Sequence, residues 1–397
     1  MTKSKFREFL FEAKHRTGLL AAAATVAVFL YMGVGAVAQS KSTLSALPPT
    51  PQAPGDNPTT PAKVALGRLL FWDPLLSGPQ DVACASCHHP QNGYAEDRDL
   101  SLGVTAIGLG SKRRQAPGSS IPIVKRNSPT VVNIAFSGSD ESGRYDPATA
   151  PMFWDLRVKS LEKQALEPLK ALEEMRGNTY PEDEALAKVV AKLQANAEYR
   201  SLFAGAFGSE QPVNAENLGR AIAAFERTLL ANNSPFDRYM RGDRSAMTEE
   251  QVSGMRRFES VGCVKCHNGP MFSDYKLHVM GVPDNPALPA SDDGAEKTYA
   301  FRTASLRNLT FTAPYEHNGM FRTLSDVVGF YEDARGGRSR NPNVSSEKLD
   351  PLIRELGDFD EQDVDLVEFL RALSDDSFDK TIPERVPSGL PVGGRIQ

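Results

Sequence analysis

Apolar positions along this chain fall mostly at helical spacing, separated by polar stretches rich in proline and glycine. Leu218, Ile222, Phe225 and Leu229 lie on one helix face, and Asn214 stands where an N-cap would begin that helix. Thr248, followed three residues later by Gln251, forms the capping-box pattern of a second helix running toward residue 263. Val364, Val367, Leu370 and Leu373 predict a third helix near the C-terminus. Strand signals are short and scattered. The stretch from Gly103 to Val124, rich in Gly, Ser and basic residues, predicts a long surface loop. Residues 39–61 are rich in Pro, Ser and Thr and lack a hydrophobic period, which predicts a flexible, partly extended linker. Residues 380–397 hold three prolines, three glycines and few apolar side chains, which predicts a loose, flexible tail. The pattern predicts a mainly α protein with long loops and few short strands.

The N-terminus follows another rule. Lys3, Lys5, Arg7, Lys14 and Arg16 precede an apolar run from Gly18 to Val37. Ala36-Val37-Ala38 then offers a small-x-small cleavage site, so residues 1–38 read as a secretory signal peptide. Left uncleaved, the run is long enough to serve as an N-terminal membrane anchor. His15 lies inside this targeting segment and is assigned no chemistry. Removing the segment takes away five basic and two acidic residues, moving the formal net charge from −5 to −8 and leaving 359 residues, enough for two compact domains. No basic tract suggests nucleic acid. The mildly acidic balance suits a basic protein partner.

Chemistry enters with two copies of Cys-x-x-Cys-His: Cys84 to His88, and Cys263 to His267. In this pentapeptide the two thiols add across the vinyl groups of a haem, and the histidine becomes the iron's proximal ligand. The motifs use all four cysteines of the chain, so no disulfide framework remains. A zinc ion held by four thiolates is the competing reading, but it explains neither histidine. Two covalently bound haem c groups place maturation outside the cytoplasm, in the periplasm. With the motifs 179 residues apart, the expected partition is two cytochrome c-like haem domains, 62–234 and 235–379, meeting near Ala231–Pro235.

Between the motifs stand Arg126-Asn127-Ser128-Pro129-Thr130-Val131-Val132-Asn133, then Phe153-Trp154-Asp155, then Ser160 to Pro168, then Glu174-Met175. After the second motif come Ser305-Leu306-Arg307-Asn308 and Thr312-Ala313-Pro314-Tyr315-Glu316-His317-Asn318-Gly319. In order and spacing this resembles the bacterial dihaem cytochrome c peroxidase and MauG superfamily over roughly residues 62–375. The resemblance implies that His88 is proximal ligand of a peroxide-reactive haem whose distal pocket holds Gln164 and Glu174, with Pro168 in its wall. It implies that Trp154 relays electrons or holes between the haems. It also implies a calcium ion between them, bound by Asn127 and the carbonyls of Thr312 and Pro314. Taken by itself, Glu174 would read as a solvated helix charge, and Trp154, like Trp72, as core packing.

Two departures from the peroxidase pattern carry information. Where peroxidases needing reductive activation have Ile-Gly-His-Gly, this chain has Ile107-Gly108-Leu109-Gly110, and no histidine occurs between His89 and His267. His89 directly follows the proximal ligand and belongs on the wrong side of the haem. The resemblance therefore implies a first iron with an open or water-filled sixth site. Fourteen residues after His317, where the peroxidases place a methionine ligand, stands Tyr331, as in MauG. A phenolate would lower the second haem's potential. Met280 and Met320 are the alternative sixth ligands, and His278 is expected beside this haem without binding it.

These features imply an enzyme that reduces H₂O₂ to water through a high-valent dihaem state, drawing electrons from a small cytochrome c or a cupredoxin. A MauG-like oxidase that modifies side chains of a protein substrate is the alternative. A non-enzymatic dihaem electron carrier is the third reading, opposed by the Gln164 and Glu174 pair. A homodimer is compatible with all three.

Overall fold

The computed structural model describes residues 43–208 and 210–397. The expected signal peptide or anchor at 1–38 lies outside the described residues. Among the described residues no helix is long and apolar enough to cross a membrane.

The architecture is mainly α. In chain order the helices are α1 (Pro61–Trp72), α2 (Cys84–Cys87), α3 (Leu161–Gln164), α4 (Ala185–Ala195), α5 (Ala197–Phe207), α6 (Ala215–Glu226), α7 (Pro235–Met240), α8 (Glu249–Ser260), α9 (Leu324–Arg335) and α10 (Val364–Ala372). Strands pair only as short antiparallel ribbons: β1 (Ala106–Ile107) with β2 (Arg114–Gln115), β3 (Pro151–Met152) with β4 (Val158–Lys159), and β5 (Leu277–Val279) with β6 (Ala300–Arg302). In the last ribbon His278 stands opposite Phe301.

The helix starts follow their sequence signals. Asn214 caps α6 by accepting from the Asn217 N–H, and Thr248 with Gln251 closes a reciprocal box at the start of α8. Helix α10 forms where the valine and leucine spacing predicts it. Val364 nevertheless lies exposed in its first turn, and Leu366 and Phe369 take the inward positions beside Val367 and Leu370.

Apolar side chains gather into two principal cores. One is built from residues between Leu66 and Ala231, including Leu70, Phe71, Leu218 and Phe225. The other runs from Phe236 to Leu373 and includes Phe258, Phe272 and Phe369. Each is organised by two helices crossing at a glycine. A Cβ on Gly67 of α1 would overlap the Ala221 carbonyl of α6, and one on Gly254 of α8 would overlap the Asp365 carbonyl at the start of α10. Each crossing stands just ahead of one Cys-x-x-Cys-His motif.

Both chain ends depart from expectation. From Thr43 onward the Pro-rich segment is a fixed strap rather than a flexible linker. Leu44 inserts into the second core and Leu47 is buried against Phe136 and Met271. The Leu47 N–H donates to Asp237, Arg241 donates to the Leu47 carbonyl, and buried Asn57 donates to Glu162. The tail is equally fixed. Phe378 and Val386 enter the first core, Ser388 donates to Asp73, and the Gly393 N–H donates to the Trp72 carbonyl. Sparse apolar content misleads in both segments, because a few anchors and backbone hydrogen bonds suffice to fix an extended chain. The Gly103–Val124 stretch is only partly surface loop, since it contains the β1–β2 ribbon and buries Val104, Ala106 and Arg113.

Candidate functional site

The first motif is the one-turn helix α2. The Ala83 N–H donates to Ser86 Oγ (2.9 Å), and that hydroxyl donates to the Gly393 carbonyl (2.7 Å), so the C-terminal tail holds the turn. His88 Nδ1 lies 3.1 Å from the Tyr94 carbonyl. Burial keeps this imidazole neutral by lowering its pKa. A neutral ring whose Nδ1–H donates to a carbonyl has its lone pair on Nε2, the tautomer a metal ligand needs. The second motif repeats the arrangement: a short 3₁₀ turn at Cys263–Lys265 follows Gly262, and His267 Nδ1 lies 2.9 Å from the Phe272 carbonyl. Burial also lowers the His267 pKa.

Burial pushes the Cys84 and Cys263 thiols up to about 12, and raises Cys87 as well. The two motifs do not pool their thiols: among the described residues the one cluster of three metal-capable side chains is Cys266, Asp274 and His278. Two thiols and an oriented histidine at each motif fit a haem, and the donor set does not fit a shared zinc.

Glu174 lies in a π-helical turn, Leu172–Arg176. The Val104 N–H donates to the Glu174 carbonyl (2.9 Å) and the Gly78 N–H to that of Met175 (2.7 Å). Gly103 packs so closely that a Cβ there would overlap the carbonyl oxygens of Glu173 and Glu174. Burial, with Glu173 adding repulsion and Arg157 opposing it, raises the Glu174 carboxyl to about 7. Its charge raises the thiol pKa of both Cys84 and Cys87, so the carboxyl is within electrostatic reach of the first motif. Gln164 ends α3, half-buried, and its side-chain amide makes no hydrogen bond among the described residues. Pro168 is also half-buried. Leu109 is half-buried and stands outside the apolar core that contains Cys84. His89 is engaged elsewhere, accepting from the Gln91 N–H and packing on Trp72, which is fully buried.

A cavity of ≈ 250 Å³ adjoins the second motif. Cys263, Cys266, His267, Met280 and Tyr331 line it, together with Trp154, Asn127, Thr312 and Pro314; Met320 is not among the lining residues. The His267 and Tyr331 rings, both in its lining, stand edge-on to each other with centres 6.5 Å apart. Burial, reinforced by Glu316, holds the Tyr331 phenol well above its usual pKa, so metal ligation there is coupled to loss of a proton. His278 sits between Asp274 (3.2 Å) and Asp350 (2.6 Å); Asp274 first, then Cys266, then Asp350 raise its pKa, against burial. Both ring nitrogens of His278 are thus engaged by carboxylates.

Trp154 is buried and donates from Nε1 to the Asn127 carbonyl (3.1 Å). It meets His317 edge-on, at 6.5 Å between ring centres, and His317 stacks on Phe301 at 3.6 Å. Asn127 Nδ2 donates to the Arg98 carbonyl and the Asn127 N–H to the His317 carbonyl. Asn127 lines the cavity, and no hydrogen bond to its Oδ1 occurs among the described residues.

Sequence reasoning assigned no role to three residues now seen at these sites. Ser128 Oγ lies 3.3 Å from His88 Nε2. Glu316 lines the cavity, and burial raises its carboxyl to about 7. Arg302 lines it from β6. Ser128 and Glu316 belong to the quoted motifs, whose order was the only signal available. Arg302 lies just ahead of one.

The family profile described as di-haem cytochrome c peroxidase matches residues 61–245. The chain is 35% identical to the cytochrome-c peroxidase IdrP1 of Pseudomonas sp. (strain SCT), covering 83% of this chain and 85% of that protein. It is also 35% identical to the methylamine utilization protein MauG of Methylorubrum extorquens, covering 83% of each. Among solved structures it resembles a MauG-like protein associated with microbial copper homeostasis, with TM-score 0.66 and 27% identity over 84% of this chain and 95% of that one. With two equivalent cysteine–histidine motifs, each on its own core, and relatives of this similarity over most of its length, the chain belongs to the di-haem cytochrome c peroxidase family, a family of oxidoreductases that includes MauG.

Proposed function

We propose that this protein is a periplasmic dihaem c-type peroxidase that reduces H₂O₂ to water, with electrons drawn from a small cytochrome c or a cupredoxin. The observation that carries the reading is Glu174, a buried carboxyl raised to about 7 within electrostatic reach of the first motif, on a turn clamped by Gly103, by Val104 and, at Met175, by Gly78. The haem held by Cys84, Cys87 and His88 supplies the iron at which the O–O bond breaks. Glu174 takes the proton from the inner peroxide oxygen and returns it to the outer one, so that water departs. The Gln164 amide, unengaged by protein, orients the peroxide. Overall, H₂O₂, two electrons and two protons give two waters. Trp154 would couple the two centres, and Asn127 with the Thr312 and Pro314 carbonyls would supply oxygen ligands to a Ca²⁺. Covalent attachment through four thioethers follows from the two motifs, and export follows from the N-terminal pattern.

Tyr331 edge-on to His267 in the cavity lining favours a second reading, a MauG-like oxidase acting on a protein substrate. A third, the electron carrier, leaves Glu174 without a purpose. Peroxide turnover with a panel of reduced cytochromes and cupredoxins separates them, provided co-purifying periplasmic proteins are screened for oxidative modification. Brisk donor oxidation supports the peroxidase. Slow donor oxidation with a discrete protein modification supports the oxidase, and neither outcome leaves the carrier.

A further inference from the structure

Two arginines line the cavity, Arg302 and Arg307. Arg307 is held by Asp237 (2.8 Å). Arg126 and Arg157, outside the lining, are held by Asp155 and, for Arg126, by Asp292 as well. Arg302 has no carboxylate partner among the described residues. Its Nε is shut off from solvent with no hydrogen-bond partner, and its one side-chain hydrogen bond is a long one of 3.5 Å from Nη1 to the Pro151 carbonyl. The Tyr275 ring lies 6.0 Å from the guanidinium. Asp155, the carboxylate whose charge acts on it, is already occupied by Arg126 and Arg157.

A guanidinium cannot shed its charge, and although Arg302 is only half-buried its enclosed Nε–H has no acceptor, which is costly. An anion delivered into the cavity would supply that acceptor and the counter-charge together. The cavity is lined by Cys263, Cys266 and His267, and a haem seated there carries two propionates. We propose that Arg302 is the counter-charge for a propionate of the second haem, on the side of the cavity where Trp154 lies. The fork formed by Nε–H and Nη–H matches a carboxylate in the bidentate manner. The backbone adds a link, since the Arg302 N–H donates to the Trp154 carbonyl (2.7 Å), joining the propionate anchor to the residue between the haems. Arg302 is thus a positioning residue that also adds a fixed positive charge near the second iron. The inference rests on the dihaem family alone and holds whichever reaction the first site performs.

Spectroelectrochemical titration of the second haem, in native holoprotein and in Arg302→Gln and Arg302→Lys, tests it between pH 5 and 9. Arg302→Gln removes the charge that favours the reduced haem. Its reduction equilibrium is expected to move tenfold or more toward the oxidised form, about 59 mV for one electron. The freed propionate then titrates with reduction and introduces a pH-dependent step absent from the native protein. Arg302→Lys, which keeps the charge, restores most of the native equilibrium. A glutamine variant with the native potential and pH profile overturns the proposal. Should that variant fail to take up haem, a crystal structure of the native holoprotein decides. A propionate oxygen within hydrogen-bonding distance of the guanidinium upholds the pairing, and a chloride, a buffer anion or only water there overturns it.

Discussion

Replacing Glu174 by Gln tests the proton-transfer role with little change of shape. The structure gives both the size and the pH signature of the effect. A positioned acid–base group contributes about 10²–10⁴-fold, and an amide can neither accept nor return the peroxide proton, so the reaction with peroxide is expected to slow by that order. With its carboxyl raised to about 7, Glu174 is about half ionised at neutral pH. The ionised form is the one that accepts the proton. The native rate constant is therefore expected to level off above pH 8 and to fall about tenfold per unit below 7, reaching about one hundredth of its plateau near pH 5. Stopped-flow measurement of the Soret change, under excess H₂O₂ from pH 5 to 9, reads both features. Gly103→Ala is the companion variant. Its Cβ has no space beside the Glu173 and Glu174 carbonyls, so it displaces the carboxyl while leaving its chemistry intact, and a displacement of about 1 Å is worth about 10²-fold. Retention by Glu174→Gln of a third of the native rate, or a native profile flat from pH 5 to 9, would refute the reasoning.

The other predictions concern the second haem, the resting state, attachment and stability. Tyr331→Phe should change the electron paramagnetic resonance signal of the second haem and leave the spin state of the first nearly intact; an unchanged second signal would move attention to Met280, which lines the same cavity. Because this chain has Leu109 where activated peroxidases carry a histidine, the fully oxidised protein should react with stoichiometric H₂O₂ without prior reduction, and a low-spin, unreactive resting first haem would contradict this. Alanine at both Cys84 and Cys87, or at both Cys263 and Cys266, should halve the haem-to-protein ratio by pyridine haemochrome assay; one haem in the native protein would end the dihaem reading of the motifs. Arg307→Ala leaves Asp237 buried and unpaired, both side chains being at most 2% exposed, and should cost about 3–5 kcal/mol by denaturant unfolding; a loss below about 1 kcal/mol would mean the pair contributes little.

Much of the site was legible because its chemistry is carried by contiguous residues. The Cys-x-x-Cys-His turns fix two thiols and a histidine within five residues, and helix caps such as Asn214 and Thr248 act locally too. Tyr331 was singled out through the resemblance, by its fourteen-residue spacing from His317, and the fold sets its ring 6.5 Å from that of His267. What was illegible depends on distant partners. Glu316 and Arg302 are charged residues that composition assigns to solvent, and only the fold encloses them in a cavity. The pKa of Glu174 likewise depends on burial that its own neighbours in sequence do not reveal.

The strap and the tail show how far a polar segment can be ordered by the surfaces it crosses. The strap reaches both cores: Leu44 packs with Phe236 and Phe272 in the second, while Asn57 donates to Glu162, which also accepts from Arg227 beside α6 in the first. The tail returns from α10 to the first core and ends against α2, where the Gly393 carbonyl accepts from Ser86 inside the haem motif. The hydrogen bonds and the few buried side chains of these segments join sequence-distant parts, so each segment adds an ordering cost of its own and repays it only once both cores exist. The first haem turn therefore has its geometry set partly by residues more than three hundred positions away. Loss of the tail should loosen Cys84–His88 before it unfolds either core.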